Sequence, residues 1–270
     1  MDFCFALLTT DARLLQPALE PYRSVLHLED GAPHGWGLGY FQAGEALLRK
    51  HPQPSSSPLD WVDAVDGLRA QILLGQRRAR PTGRHVSENT QPYRYRRWMF
   101  VHSGAIEGFE AVRGEVLPSI PDFIRRNIRG TTDSEHLFHL FLAFLNDAGA
   151  LDNPRVKSTD AASALSSTLA FFDKLTGAPS EHCCIATNGH ILLATHRGMP
   201  MQVTRSNCQT VITRSADNKP VSHPHLRAVL LTGGSAIQQT GWESIAEGVV
   251  ISVDSELNIS YSDSDDRPAG

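Results

Sequence analysis

The chain has 270 residues, 41% of them hydrophobic and 20% charged, with a formal net charge of -4. It is long enough to bury a full core, its make-up is ordinary for a soluble globular protein, and its acidic balance argues against a general polyanion binder. The basic run Arg125-Arg126-Asn127-Ile128-Arg129 is short and reads as a solvated helix face, so no nucleic-acid partner is expected. No segment approaches the roughly 18 consecutive apolar residues of a membrane span. The start, MDFCFALLTTDARLL, lacks the basic region that opens a secretory signal, so the expected location is cytoplasmic. The cysteines are Cys4, Cys183, Cys184 and Cys208, too few in this length for a disulfide framework. Neighbours in His182-Cys183-Cys184 point to opposite strand faces and cannot chelate one ion together, so buried strand thiols and no metal are expected.

In chain order, Phe3 to Leu8 reads as an apolar strand, and Asp11 to Leu28 has helical spacing broken by Pro17 and Pro21. His34 to Phe41, HGWGLGYF, alternates glycine with bulky residues, as a strand does where another backbone or a ligand comes close. His51 to Pro58 is a loop, Leu59 to Leu68 a helix and Ala70 to Gln76 a strand. Arg77 to Tyr95 is a long polar connection of the kind that carries function. Arg97 to His102 returns to strand and opens on Ser103-Gly104.

Glu107 to Leu117 and Pro121 to Ile128 read as helices. Thr132 with Glu135 three residues on is a capping box, and Leu137, Leu140, Phe141 and Phe144 mark one apolar face behind it. After a helix from Ser158 to Leu175 the texture turns to short strands. CCIATNGHILLATHR reads as a hairpin around Asn188-Gly189, RAVLLTGG and GVVISVDSELNISY continue a sheet, and the tail from residue 262 should be disordered. Strands from both halves with helices mainly between them suit two antiparallel sheets packed together under outer helical layers.

The polar landmarks run Cys4, HGWGLGY, Arg77 in RRARPTG, ENTQPY, HSGAI and GTTDSEHLF. This order resembles the class II glutamine amidotransferases, a branch of the N-terminal-nucleophile hydrolases, and among them the small stand-alone members that cleave γ-glutamyl amides. The resemblance spans essentially the whole chain. It implies an α+β fold, a four-layer αββα sandwich over residues 1–261, with the site at the edge of two sheets. It implies glutamine or a γ-glutamyl compound as substrate and no metal or organic cofactor. No fused synthase domain is expected, so ammonia would escape or pass to a separate acceptor or partner protein.

The matching residues take the family's roles as follows. Cys4 is the nucleophile, its own α-amine the general base, and the γ-amide is cleaved through a thioester. Ser103 and Gly104 stand at the oxyanion-hole positions, where a lost donor costs about a hundred- to a thousandfold in rate. Arg77 matches the arginine on the substrate carboxylate, Asp133 the acid on its α-ammonium, and Trp36 lies in the substrate-binding stretch.

Several positions depart from the pattern. Ser103 replaces an asparagine, and Gln91 stands where the family has histidine. The cysteine usually follows the initiator methionine directly, whereas Asp2 and Phe3 intervene here, and Asp2 should protect Met1 from removal. Catalysis therefore requires that Cys4 become the first residue. The alternatives are a catalytically silent relative that binds a ligand or partner, and a hydrolase of altered specificity.

Overall fold

The computed structural model describes residues 2–27, 33–79, 84–206, 212–214, 220–234 and 236–262. Cys208 lies outside them, and of the expected tail only Ser262 is described. The strands of the first half are β1 (Phe3–Thr9), β2 (Trp36–Gln42), β3 (Glu45–His51), β4 (Ile72–Arg77), β5 (Tyr93–Tyr95) and β6 (Trp98–Gly104). Those of the second half are β7 (His182–Thr187), β8 (Ile191–Arg197), β9 (Met201–Ser206), β10 (Ile212–Arg214), β11 (Pro220–Ser222), β12 (Ala228–Gly233), β13 (Trp242–Ser244), β14 (Val250–Asp254) and β15 (Ile259–Ser262). The helices are α1 (Leu15–Leu19), α2 (Arg23–Leu26), α3 (Trp61–Ala64), α4 (Phe109–Val116), α5 (Asp122–Arg125), α6 (Asp133–Asp147) and α7 (Ser158–Thr176).

Two antiparallel sheets carry the fold. The first runs β13-β9-β12-β1-β4-β2-β3 and the second β15-β14-β8-β7-β6-β5. Three apolar layers follow from the alternation of side chains along each strand. Phe3, Phe5 and Leu7 of β1 pack outward with Leu15, Leu19 and Trp61 of the first helical layer. Ala6 and Leu8 point inward with Leu74, Val101, Ile185 and Leu231, the core between the sheets. Phe100, Cys184 and Ala186 point out of the second sheet onto Leu137, Phe138 and Phe141 of α6 and Leu165 of α7. The architecture is α+β, an αββα sandwich, and Cys183 and Cys184 are buried thiols on opposite faces of β7.

Local chemistry explains the breaks and turns. Pro17 and Pro21 divide residues 12–26 into short helical turns rather than one helix. The glycines of β2 make room: a Cβ on Gly37 would collide with the Gln91 carbonyl, and one on Gly39 would press on Met99. Thr132 caps α6, accepting a hydrogen bond from the Glu135 amide at 3.2 Å. The Glu135 carboxylate does not close the capping box; it accepts instead from the amides of Arg129 at 2.8 Å and Gly130 at 2.6 Å, fastening the approach to the helix. Among the described residues no helix is long and apolar enough to cross a membrane.

Candidate active site

The end of β6 is held on three sides. Gln91 lies beyond the last β5–β6 pair, Tyr93 with Phe100, and its side chain takes over the ladder. Its amide nitrogen donates to the His102 carbonyl at 2.9 Å and its oxygen accepts from the His102 amide at 2.6 Å. On the helix side, His102 Nδ1 shares a hydrogen bond of 2.8 Å with Ser134 Oγ, and burial lowers the imidazole's pKa, which keeps the ring neutral. Asp133 reaches over the first turn of α6 and accepts from the Ile106 amide at 2.8 Å and the Ser134 amide at 2.7 Å. The segment His102-Ser103-Gly104-Ala105-Ile106 is thereby fixed by residues of the ENTQPY and TTDSE stretches.

Gly104 supplies the bend. Its φ is 123°, and an added Cβ would collide with the Glu181 carbonyl of the segment leading into β7. Only glycine accepts that conformation at that distance. Ser103, one residue earlier, points between the sheets, opposite Cys183 on β7. Its hydroxyl is buried and makes no regular hydrogen bond among the described residues.

Cys4 faces the same inter-sheet layer from β1, paired with Gly233 of β12 and Gln76 of β4, and is fully buried. Burial pushes its thiol up to about 12, the Ser103 hydroxyl pulls the other way, and the Asp2 carboxylate adds to the rise. Gly233 leaves space that Cys183 fills, because a Cβ there would lie 2.8 Å from the Cys183 Cβ. The residues ahead of Cys4 belong to the fold. Phe3 is fully buried and pairs with Arg77, and Asp2 accepts a hydrogen bond from the Ala79 amide at 2.8 Å.

Arg77 is 3% exposed and sits cross-strand from Phe3 on one side and Trp36 on the other. Trp36 stacks on His51 with ring centroids 5.6 Å apart and meets Trp61 edge-on at 6.0 Å. Arg77 and Trp36 thus leave the first sheet in phase with Phe3, whereas Cys4 leaves it on the opposite face with Gln76. A cavity of about 600 Å³ opens at the start of α6, walled by Ile106 and Phe109 and edged by Glu110, Thr132 and Asp133. Among the sequence candidates the structure brings together Cys4 with Ser103, and ties Asp133 to the Ile106 amide two residues beyond Gly104. It sets Arg77 and Trp36 on the other side of the first sheet.

Gln91, Ser134 and Arg78, whose buried guanidinium donates to the Asn89 carbonyl, carry contacts here that sequence reasoning did not assign. Gln91 stood out only as a departure from the family pattern. Ser134 was hidden inside the helix cap, and Arg78 behind its neighbour Arg77.

The comparisons agree with this fold. The sequence matches the family described as Glutamine amidotransferases class-II over residues 19–255, a span that begins after β1 and Cys4. It is 26% identical over 121 residues to the probable glutamine amidotransferase DUG3 of Saccharomyces cerevisiae, covering 43% of this chain and 34% of that relative. Its fold resembles a glutamine aminotransferase class-II domain protein of Silicibacter pomeroyi, with a TM-score of 0.60, 21% identity and coverage of 97% and 98% of the two chains. A predicted glutamine amidotransferase of Pseudomonas aeruginosa gives a TM-score of 0.59 at 16% identity, covering 96% of this chain and 98% of that one. The glutamine phosphoribosylpyrophosphate amidotransferase of Bacillus subtilis gives 0.55 at 10%, and the likeness spans 98% of this chain and 50% of that larger one. The chain belongs to the class II glutamine amidotransferases.

Proposed function

We propose that residues 1–261 form one cytoplasmic domain that cleaves the γ-amide of glutamine or a γ-glutamyl compound once Cys4 becomes the first residue. The observation that carries this reading is the meeting of Cys4 and Ser103 between the sheets, beside a β6 end fixed on three sides. In the intact chain the Cys4 nitrogen is a peptide amide and has no basicity, and the buried thiol, at about 12, stays protonated at neutral pH. Cutting the Phe3–Cys4 bond converts that amide into an amine, whose ordinary pKa is about 8.

The amine then takes the thiol proton as sulfur bonds to the γ-carbonyl carbon. The oxyanion that forms lies toward the Gly104 amide and the Ser103 hydroxyl. The amine returns its proton to the leaving nitrogen, ammonia departs, and a γ-glutamyl thioester remains. Water, deprotonated by the same amine, adds to the thioester; sulfur leaves as thiolate and is reprotonated, giving glutamate. Asp133 takes the α-ammonium of the amino-acid head; Arg77 is the family's position for its carboxylate, with Trp36 beside it, and both leave the first sheet on the face opposite the Cys4 thiol. No metal or organic cofactor enters this scheme. Ammonia goes to water or to a separate acceptor protein.

A second reading has its own support. Phe3 is fully buried and Asp2 is bonded to Ala79, so the lead is built into β1 as a strand residue would be. A chain that keeps it is a ligand-binding or partner subunit of the same fold. N-terminal sequencing and intact mass of the purified, untagged protein separate the two, followed by glutamate release from glutamine with Cys4→Ala as control. A chain starting at Cys4 that hydrolyses glutamine supports the first reading; a silent chain starting at Met1 supports the second.

A further inference from the structure

Among the described residues Cys4, Cys183 and Cys184 are buried as free thiols. They divide between two layers. Cys4 and Cys183 point into the core between the sheets, from β1 and β7, whereas Cys184 points the other way, onto the helical layer of α6. Alternation along β7 keeps the neighbours Cys183 and Cys184 apart and turns Cys183 toward the sheet that carries Cys4.

Two strand registers bring Cys4 and Cys183 to one place. In the first sheet Cys4 is paired with Gly233 of β12, and in the second Cys183 is paired with Ser103 of β6. The bare backbone of Gly233 lets the sheets close here: a Cβ on it would lie 2.8 Å from the Cys183 Cβ and 3.1 Å from the Cys183 Sγ. The Cys183 side chain thus fills the place of a cross-strand neighbour of Cys4, and such neighbours have Cβ atoms about 4.5–5.5 Å apart. A disulfide joins Cβ atoms about 3.5–4.5 Å apart, so a small shift of side chains closes the gap. Ser103 ties the two thiols from the other side, since it is the partner of Cys183 and its hydroxyl acts on the Cys4 thiol. The Cys183 thiol is lightly held. It donates to the Pro200 carbonyl at 3.6 Å and to the Met199 carbonyl at 3.9 Å, long contacts that a turn toward Cys4 gives up at little cost.

We infer that Cys183 is the resolving thiol for Cys4, the two closing a disulfide between the sheets when a peroxide reaches the site. This rests on the reading that Cys4 becomes the first residue and is reached by a ligand, because in the intact chain its thiol is buried and protonated. The Cys4 sulfur attacks one oxygen of hydrogen peroxide, the O–O bond breaks, and the leaving hydroxide takes the thiol proton as water, so that Cys4 becomes a sulfenic acid. The Cys183 sulfur then bonds to the Cys4 sulfur, the S–O bond breaks, and the departing oxygen leaves as a second water with the Cys183 proton. Two thiols lose two electrons and two protons, and one peroxide becomes two waters. The sulfur that attacks the γ-carbonyl in the proposed reaction is then blocked until a reductant reopens the bond.

Peptide mapping by mass spectrometry after hydrogen peroxide treatment tests this on the chain cut to begin at Cys4. Glutamate release from glutamine is followed before oxidation, after it, and after dithiothreitol. The native cut chain should yield a linked Cys4–Cys183 peptide, lose at least about tenfold in hydrolysis and regain most of it on reduction. Cys183→Ala should lose hydrolysis too but, without a resolving thiol, pass on to the sulfinic acid and recover less than about a tenth. Cys183→Ser, nearer in size, should do the same and controls for any loosening of the core. Cys184→Ala, on the other face of β7, should behave as the native chain does. Cys4 unlinked or linked elsewhere in a cut chain that hydrolyses glutamine, or equal recovery with and without Cys183, overturns this inference alone. A cut chain that hydrolyses nothing overturns the proposed reaction instead; the linked peptide then decides the pairing by itself, and its absence overturns that as well.

Discussion

The two strand ends that meet at the site are built on opposite plans. The end of β6 is finished: Gln91 brackets its backbone, Ser134 holds the His102 ring, Asp133 anchors the turn beyond, and Gly104 makes the bend. The start of β1, which carries the proposed nucleophile, is unfinished for that role. Its thiol is buried and protonated, its amide is locked in a peptide bond, Phe3 opens the strand ahead of it, and the Asp2 carboxylate is bonded to the Ala79 amide. The difference teaches that, in the proposed reaction, the elements for stabilising charge would be set by folding, whereas the nucleophile and its base would depend on one covalent event.

Variants that loosen β6 should have the largest effects. Gln91→Leu keeps the volume but strips both partners from the buried His102 backbone, and should destabilise the protein by about 2–5 kcal/mol in urea unfolding. Gly104→Ala forces a side chain into a left-handed φ against the Glu181 carbonyl, and should cost about 2–3 kcal/mol by the same measurement.

Acid should act on the β6 side as well. Burial lowers the pKa of His182 to about 3 and of His139 to about 4, and depresses His102 and His136 beside them. Unfolded histidines titrate near 6.5, so below that pH the unfolded chain binds protons that the folded chain refuses. Stability is therefore full above about pH 6.5 and falls as pH drops toward 4, by up to about 1.4 kcal/mol per pH unit for each such histidine. Unfolding midpoints at pH 7.5 and pH 5 measure this; equal stability at the two would contradict it.

The β1 side should respond least. Asp2→Asn removes a charge that raises the Cys4 thiol, so the thiol should ionise at lower pH, with a stability change of about 1 kcal/mol or less. Alkylation of Cys4 as a function of pH, compared between the two chains, reads that shift directly.

Much of this was legible in the sequence because the signals were local. The apolar face and cap of α6, the glycine alternation of β2 and the β7–β8 hairpin each follow from spacing within a few residues. The hairpin turn itself is wider than the expected two residues: the Asn188 side chain accepts from the amides of both His190 and Ile191. β3 went unread because EALLRKH carries as much charge as apolar surface and its turn is Ala43-Gly44, where Ala43 takes a φ of 52° without any asparagine or aspartate to announce it. β9 was missed too, since MQVTRS mixes polar and apolar positions and is recognisable only once β12 pairs with it. The helix expected over Leu59 to Leu68 shrank to Trp61–Ala64, with Gly67 at a φ of 73° in the turn beyond.

The site divides the same way. Cys4, Ser103, Gly104 and Asp133 sit in recognisable stretches. The opposed phases of Cys4 and Arg77 and the bracket made by Gln91 depend on pairing between distant strands, which no local pattern contains.

The most direct test of the central claim compares the intact chain with one cut to begin at Cys4, both assayed for glutamate release from glutamine at pH 7.5. The account predicts hydrolysis by the cut chain alone, at least about a hundredfold above the intact one, and lost in Cys4→Ala. Equal hydrolysis by both chains, or none by a cut chain that remains folded, would contradict it.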